Sequence, residues 1–212
     1  MGRIPQVQRP EQLNKNILCH RLTALLILCA ILPACVSQTI RSASVANVRT
    51  VATAIAEDLL LDVDIAIFDP GLEDYDEGQQ VYPEVRNAEA SYMPNLLSEA
   101  LQNSGAWGAV RVVPAPNQIA NLMVEGEILH SDGEELRLHI TAADSRGQVW
   151  LDREYQSKAS RYAYIETGRA YQDPFQAVYN NIANDLFEQQ QNLRPEEREN
   201  IRLVSELLFA RS

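Results

Sequence analysis

Few side chains in this 212-residue chain carry site chemistry, and they fall into four groups: three cysteines, three histidines, a large surplus of acids, and a tyrosine-rich stretch. Zinc needs three or four converging Cys, His or acidic ligands. His130 and His139 lie nine residues apart in a region of alternating apolar residues, on opposite faces of the expected hairpin. They cannot then share a metal, and no third ligand stands at ligand spacing, so no metal is expected. The acids Asp69, Glu73, Asp74, Asp76 and Glu77 could supply oxygens to calcium, which takes six or more. Their spacing lacks the regularity of a calcium loop, so a solvated acidic loop is expected. Glu125 and Glu127, at i and i+2, share one strand face. Paired carboxylates can hydrolyse glycans when their environments push their pKa values apart, but no accompanying motif supports that chemistry. The chain has no Gly-x-Ser-x-Gly elbow and no glycine-rich phosphate loop. No cofactor and no catalytic residue is expected.

The thiols are more informative. Arg21 precedes a largely apolar run at 22–32, which ends in Leu32-Pro33-Ala34-Cys35. A basic start, a short greasy stretch and small residues before a processing point are the order of an export signal. The run is too short to span a bilayer, which needs about 20 residues. The segment resembles a bacterial lipobox, which implies cleavage after Ala34 and lipid on Cys35. The stretch ahead of the run is long and Pro33 sits inside the box, two departures from the usual pattern. A start codon placed too early would explain the first. Cys19 and Cys29 fall in the removed segment, which leaves Cys35 as the one thiol of the mature chain. An internal disulfide is then excluded. Lipid on that cysteine would anchor the chain by burying methylenes. Val36, where an aspartate favours the inner membrane, leans the expectation to the periplasmic face of the outer membrane.

Charge excludes other partners. Cleavage deletes Arg3, Arg9, Lys15 and Arg21 with one acid, Glu11, and leaves 14 basic and 28 acidic residues, a net of −14. Nucleic-acid binding rests on neutralising phosphates, and a polybasic contact with anionic lipid needs clustered cations. Neither is expected.

The surrounding elements follow from periodicity. Val45, Val48, Ala52, Ile55, Ala56 and Leu59 recur at helical spacing and predict a helix over 44–61. A buried strand is expected at 63–68, stopped by Asp69-Pro70-Gly71. A long acidic loop over 69–90 follows, then a helix at 92–103 with Pro94 in its first turn and Gly105 as its stop. The next strand is 107–113. Residues 121–155 predict a three-stranded meander with one oily face. Its first hairpin pairs Val124 with Ala142, Gly126 with Ile140 and Ile128 with Leu138, and on the other face Glu127 with His139 and Leu129 with Arg137. The second hairpin puts Val149 opposite Ala142 and Leu151 opposite Ile140. Asp173-Pro174 is expected to cap a helix to about 190, and Pro195 to open a last one with Ile201, Val204, Leu207 and Leu208 inward. That helix lacks a glycine stop before Ser212, which raises the expectation of a longer natural protein. Tyr162 and Tyr164 stand outside the helical stripes and are candidate partner-binding residues, as are Asp74, Asp76 and Glu77.

Four pieces, Ile65-Ala66-Ile67-Phe68, Leu97 to Gly105, Trp107 to Val113 and Leu122 to Ile128, follow one another as strand, helix, strand and meander strand. Over about 63–155 this order resembles a group of envelope lipoproteins and periplasmic domains. The group includes the amino-terminal domain of TolB, the curli-secretion lipoprotein, the penicillin-binding-protein activator lipoproteins and the auxiliary lipoproteins of lipid-transporting ABC systems. The resemblance implies an α/β domain that binds envelope proteins and carries over no active-site residue. The acidic loop and the C-terminal helices lie outside it.

The expected class is therefore α/β, an α+β sandwich. It has a mixed, mostly antiparallel sheet with helices packed on it and a C-terminal helical pair. Residues 1–34 are expected to be the signal, 35–43 the lipidated tether, 44–165 the envelope domain and 166–212 its C-terminal helices. A non-catalytic adaptor or assembly factor fits best. A solute-binding or transport accessory is the alternative, and a glycan-acting enzyme is the third reading.

Overall fold

A computed structural model describes residues 41–42, 47–73, 82–117, 119–159 and 173–211. Its compact unit that contains these residues begins at Gln38. The elements are β1 (Arg41–Ser42), β2 (Val63–Ala66), α1 (Pro83–Ser104), β3 (Val110–Val113), β4 (Leu122–Ser131), β5 (Glu135–Asp144), β6 (Val149–Lys158), α2 (Gln176–Gln191) and α3 (Pro195–Phe209), with a short 3-10 turn at Glu57–Leu59. The class is α/β. The strands form one six-stranded sheet in the order β1-β6-β5-β4-β2-β3. The β4–β5–β6 meander is antiparallel and carries most of the ladder, while the short strands β1, β2 and β3 add in parallel.

One core fills the space between the sheet and the helices α1 and α2. Val63, Ile65, Leu122, Val124, Ile128, Leu138, Ile140 and Tyr155 meet Leu97, Leu101, Val178, Ile182 and Leu186 there, all essentially inaccessible to water. The helical stripe expected from Phe175 to Leu186 is buried, and burial pushes the Tyr179 hydroxyl pKa up. Gly126 faces this core where the Phe68 ring crosses it. A Cβ there would stand 2.7 Å from ring carbons.

The helix expected over 44–61 does not form across its described part. Residues 47–56 instead run as an irregular strap ahead of the 3-10 turn. The Asn184 side chain accepts from Arg49 N–H at 2.7 Å and donates to the Asn47 carbonyl at 3.0 Å, and Val51 N–H donates to the Ser104 carbonyl. These tertiary partners take the backbone groups a helix would need, in a segment rich in β-branched residues. Val48, Val51 and Ile55 still reach the core edge. Arg41 and Ser42, expected in the tether, pair with Tyr155 and Gln156.

The acidic loop is shorter than expected because α1 begins at Pro83, which places Glu84 and Glu89 on the helix. Pro94 consequently lies inside α1 rather than in its first turn. Gly105 ends α1 in the left-handed conformation, φ 66°. The strand at 107–113 forms only over Val110–Val113. Asp173 accepts from Phe175 N–H at 2.8 Å and shapes the turn before α2, which starts at Gln176. In α3, Ile201 is buried as expected but Leu207 points outward, 64% exposed.

Candidate functional site

The six residues expected to carry function, Cys35, Asp74, Asp76, Glu77, Tyr162 and Tyr164, all lie outside the described residues. The described part with concentrated surface chemistry is the sheet face opposite α1 and α2. Alternation puts Leu136, Leu138, Ile140 and Ala142 into the core and Glu135, Arg137, His139 and Thr141 onto this second face. Cross-strand pairing then builds rows. Glu125, Thr141 and Asp152 form one; Glu127, His139 and Glu154 the next; His130, Arg137 and Gln156 the third. Glu135 and Lys158 close the ladder as an ion pair of 3.1 Å. The face is thus divided, with four carboxylates around His139 at one end and His130, Arg137 and Lys158 towards the other.

The hairpin register around Ile128 is as expected, including Glu127 opposite His139. Beyond it, a bulge between Ile128 and His130 sets His130, not Leu129, opposite Arg137. That extra residue reverses the facing of the strand end. Both histidines therefore share the open face, contrary to the expectation of opposite faces. They still do not converge. His130 Nε2 lies 3.0 Å from Asp132, and His139 Nε2 lies 2.9 Å from Asp152 rather than on its row partner Glu127. Asp132 also accepts from the Glu135 and Glu134 N–H groups, and those bonds with His130 hold its carboxyl below the usual range against a burial effect of opposite sign. Among the described residues, no three His, Cys, Asp or Glu side chains are grouped to hold a metal.

Sequence periodicity did not reveal what holds the bulge. Arg86 of α1 is buried and donates to the carbonyls of Ile128 at 3.2 Å and Ser131 at 3.5 Å. Its neighbour Glu89 accepts from the Ser131 hydroxyl at 2.7 Å. Burial lowers the Arg86 pKa, opposed by Glu89 and Asp132. Arg86 fell in the segment expected to be a loop, so no helical stripe marked it.

A second irregularity sits at the β5–β6 turn. Leu151, not Val149, opposes Ala142, and Trp150 is the extra residue. The cause is Asp144, whose buried carboxylate takes Arg146 at 2.7 Å, Trp150 Nε1 at 3.0 Å and the N–H groups of Arg146 and Gln148. Burial alone would raise its pKa, but these partners outweigh it and hold the carboxyl below its ordinary value. In the observed register Arg153 stays on the helix side but opposite Ile140 rather than Leu138, and there it meets the buried Asp185 at 3.0 Å. Beside this turn a crevice of about 510 Å³ opens, lined by Arg146, Gln148, Val149, Trp150, Gln189 and Leu193.

No family model matches the chain, and no curated protein matches it. Among solved structures, a Xanthomonas campestris protein of the DUF330 family superposes with a TM-score of 0.42 at 14% identity, covering 76% of this chain and 98% of that one. The PelC dodecamer from Paraburkholderia phytofirmans gives a TM-score of 0.35 at 13% identity, covering 66% of this chain and 94% of that one. A hypothetical protein of Chlamydia trachomatis gives 0.31 at 14%, covering 70% and 98%. Scores below 0.5 leave the function of this chain to its own residues.

Proposed function

We propose that this chain is an exported lipoprotein, anchored through Cys35 to the periplasmic face of the outer membrane, that works without catalysis as an adaptor or assembly factor for envelope proteins. The observation that carries the reading is Leu32-Pro33-Ala34-Cys35 behind the apolar run. The described sheet face supports the adaptor role by offering charged rows to a partner. Partner contact falls to Tyr162, Tyr164 and the acids Asp74, Asp76 and Glu77. Among the described residues no helix is long and apolar enough to cross a membrane.

The test is labelling with a fatty-acid analogue, followed by cross-linking pulldown from envelope membranes. The native chain should take label and leave the membrane only with detergent, and Cys35→Ala should lose both properties. A native chain without label at Cys35 refutes the anchor. Tyr162→Ala with Tyr164→Ala should keep the melting temperature and lose cross-linked partners. A large fall in stability would place those rings in the core instead.

The crevice beside Trp150 favours a second reading, a solute-binding or transport accessory component. It lies between the sheet and the C-terminal helices, and its volume falls in the range of small-molecule sites. A bound solute recovered from the native protein by mass spectrometry would bring that reading forward.

A further inference from the structure

The sheet ends on β3, which pairs with β2 on one side and has no strand on the other. Val63 N–H donates to the Ala109 carbonyl, and Ile67 N–H donates to the Val113 carbonyl. The odd-numbered residues of this segment therefore turn their main-chain groups to β2. Alternation turns the N–H and carbonyl of Val110 and Val112 to the outer side. Among the described residues none of these outward groups has a hydrogen-bond partner. Pro114, which has no N–H, closes the edge at one end. Two donors and two acceptors remain at the spacing of an extended backbone, about 7 Å apart.

The two sides of this edge differ. Val110 and Val112 stand beside Val63 and Ile65 in register, on the side of α1, and Val110 packs against the core. Arg111 stands beside Asp64 on the other side, where it reaches Asp62 at 2.9 Å and Asp64 at 3.3 Å. Both carboxylates, with Glu206 and Phe209 of α3, line a crevice of about 380 Å³. Among the described residues of that lining, Arg111 stands against the carboxylates of Asp62, Asp64 and Glu206, so negative charge is in excess.

We propose that the β3 edge takes an extended segment of a partner protein in which apolar and basic residues alternate. The main chain of that segment pairs with Val110 and Val112 and adds a strand to the sheet. Every second side chain of the added strand then falls on the α1 side, beside the two valines, and the others fall on the side of Arg111. There a lysine or arginine reaches over the crevice towards Asp62 and Glu206, whereas an acid meets like charge. The edge is short. Val110 to Val113 extend over about 13 Å, so the contact is a short linear motif. This surface is separate from Tyr162, Tyr164 and the acids Asp74, Asp76 and Glu77, and binding at it does not depend on the lipid anchor.

The experiment uses the full chain in mild detergent with fluorophore-labelled peptides, Val-Lys-Val-Lys-Val and Val-Glu-Val-Glu-Val. Anisotropy reads binding, and residue-resolved hydrogen exchange reads the site. The lysine peptide should bind at least about tenfold more tightly than the glutamate peptide, and it should slow exchange at Val110 and Val112. Methylating the nitrogens of the lysine peptide removes its donors to the Val110 and Val112 carbonyls and should cost about tenfold on the native chain. Glu206→Gln, at an exposed position of α3, should weaken the lysine peptide by about twofold to fivefold. No binding, equal affinity for the three peptides, or binding without protection at Val110 and Val112 overturns the proposal. A mass that doubles with concentration, with those amides protected in the absence of peptide, assigns the edge to a second copy and also overturns it. A chain that takes no label at Cys35 refutes the anchor and leaves this result as it stands.

Discussion

The sharpest structural prediction concerns Asp185, which fastens α2 to β6. Its carboxylate is 7% exposed and receives the Tyr155 hydroxyl at 2.8 Å and Arg153 at 3.0 Å. Tyr155 itself is wholly buried. Asp185→Ala would leave the Tyr155 hydroxyl buried near an arginine that has lost its counter-charge. Removing one partner of a buried ion pair costs about 3–5 kcal/mol. Arg153 keeps a third of its side chain in water, so the lower part of that range applies here, about 3 kcal/mol. Tyr155→Phe removes the hydroxyl's hydrogen bond to this charged acceptor, about 1.5–3 kcal/mol. For a domain of this size each kcal/mol moves the midpoint by about 2–4 °C. Thermal unfolding followed by circular dichroism should therefore show Asp185→Ala melting roughly 6–12 °C lower. The double variant should lose less than the sum of the singles, because both act through one carboxylate. Full additivity, or an Asp185→Ala midpoint within about 2 °C of native, would refute the claim that this contact joins helix and sheet.

Gly126→Ala should destabilise by about 1–3 kcal/mol through overpacking against the Phe68 ring. Phe68→Leu in the same chain should recover part of the loss, as read by urea midpoints. The pH dependence follows from Asp144, whose folded pKa lies below its unfolded value. Its contribution is present above the unfolded value near pH 4 and is lost as pH falls through the folded one. The melting temperature of native protein should therefore drop below about pH 4, and Asp144→Asn should flatten that drop. Asp132, also depressed, keeps a remaining slope, while Asp173, pushed up by burial, works in the opposite direction.

Local pattern in the sequence determined much of this protein. Alternation along 121–155 and the Asp132-Gly133-Glu134 turn set the first hairpin register, because a slip of one residue would turn every apolar side chain out of the core. The stripe from Phe175 to Leu186 and the glycine stop at Gly105 determined α2 and the end of α1 for equally local reasons. The order Leu32-Pro33-Ala34-Cys35 carried the proposed anchor, since a processing signal is read as sequence. Tertiary contacts decided the rest. Val48, Val51 and Ile55 bury at near-helical spacing, but Asn184 and Ser104 capture their backbone and make a strap. Arg86 and Asp144 hold the bulges that moved His130 to the open face and set Arg153 opposite Ile140 instead of Leu138. While Asp144 captures the main-chain groups of its own turn, Asn184, Ser104 and Arg86, all distant in sequence, bind main-chain groups that local periodicity treats as already paired. Such partners come together only once the chain has folded.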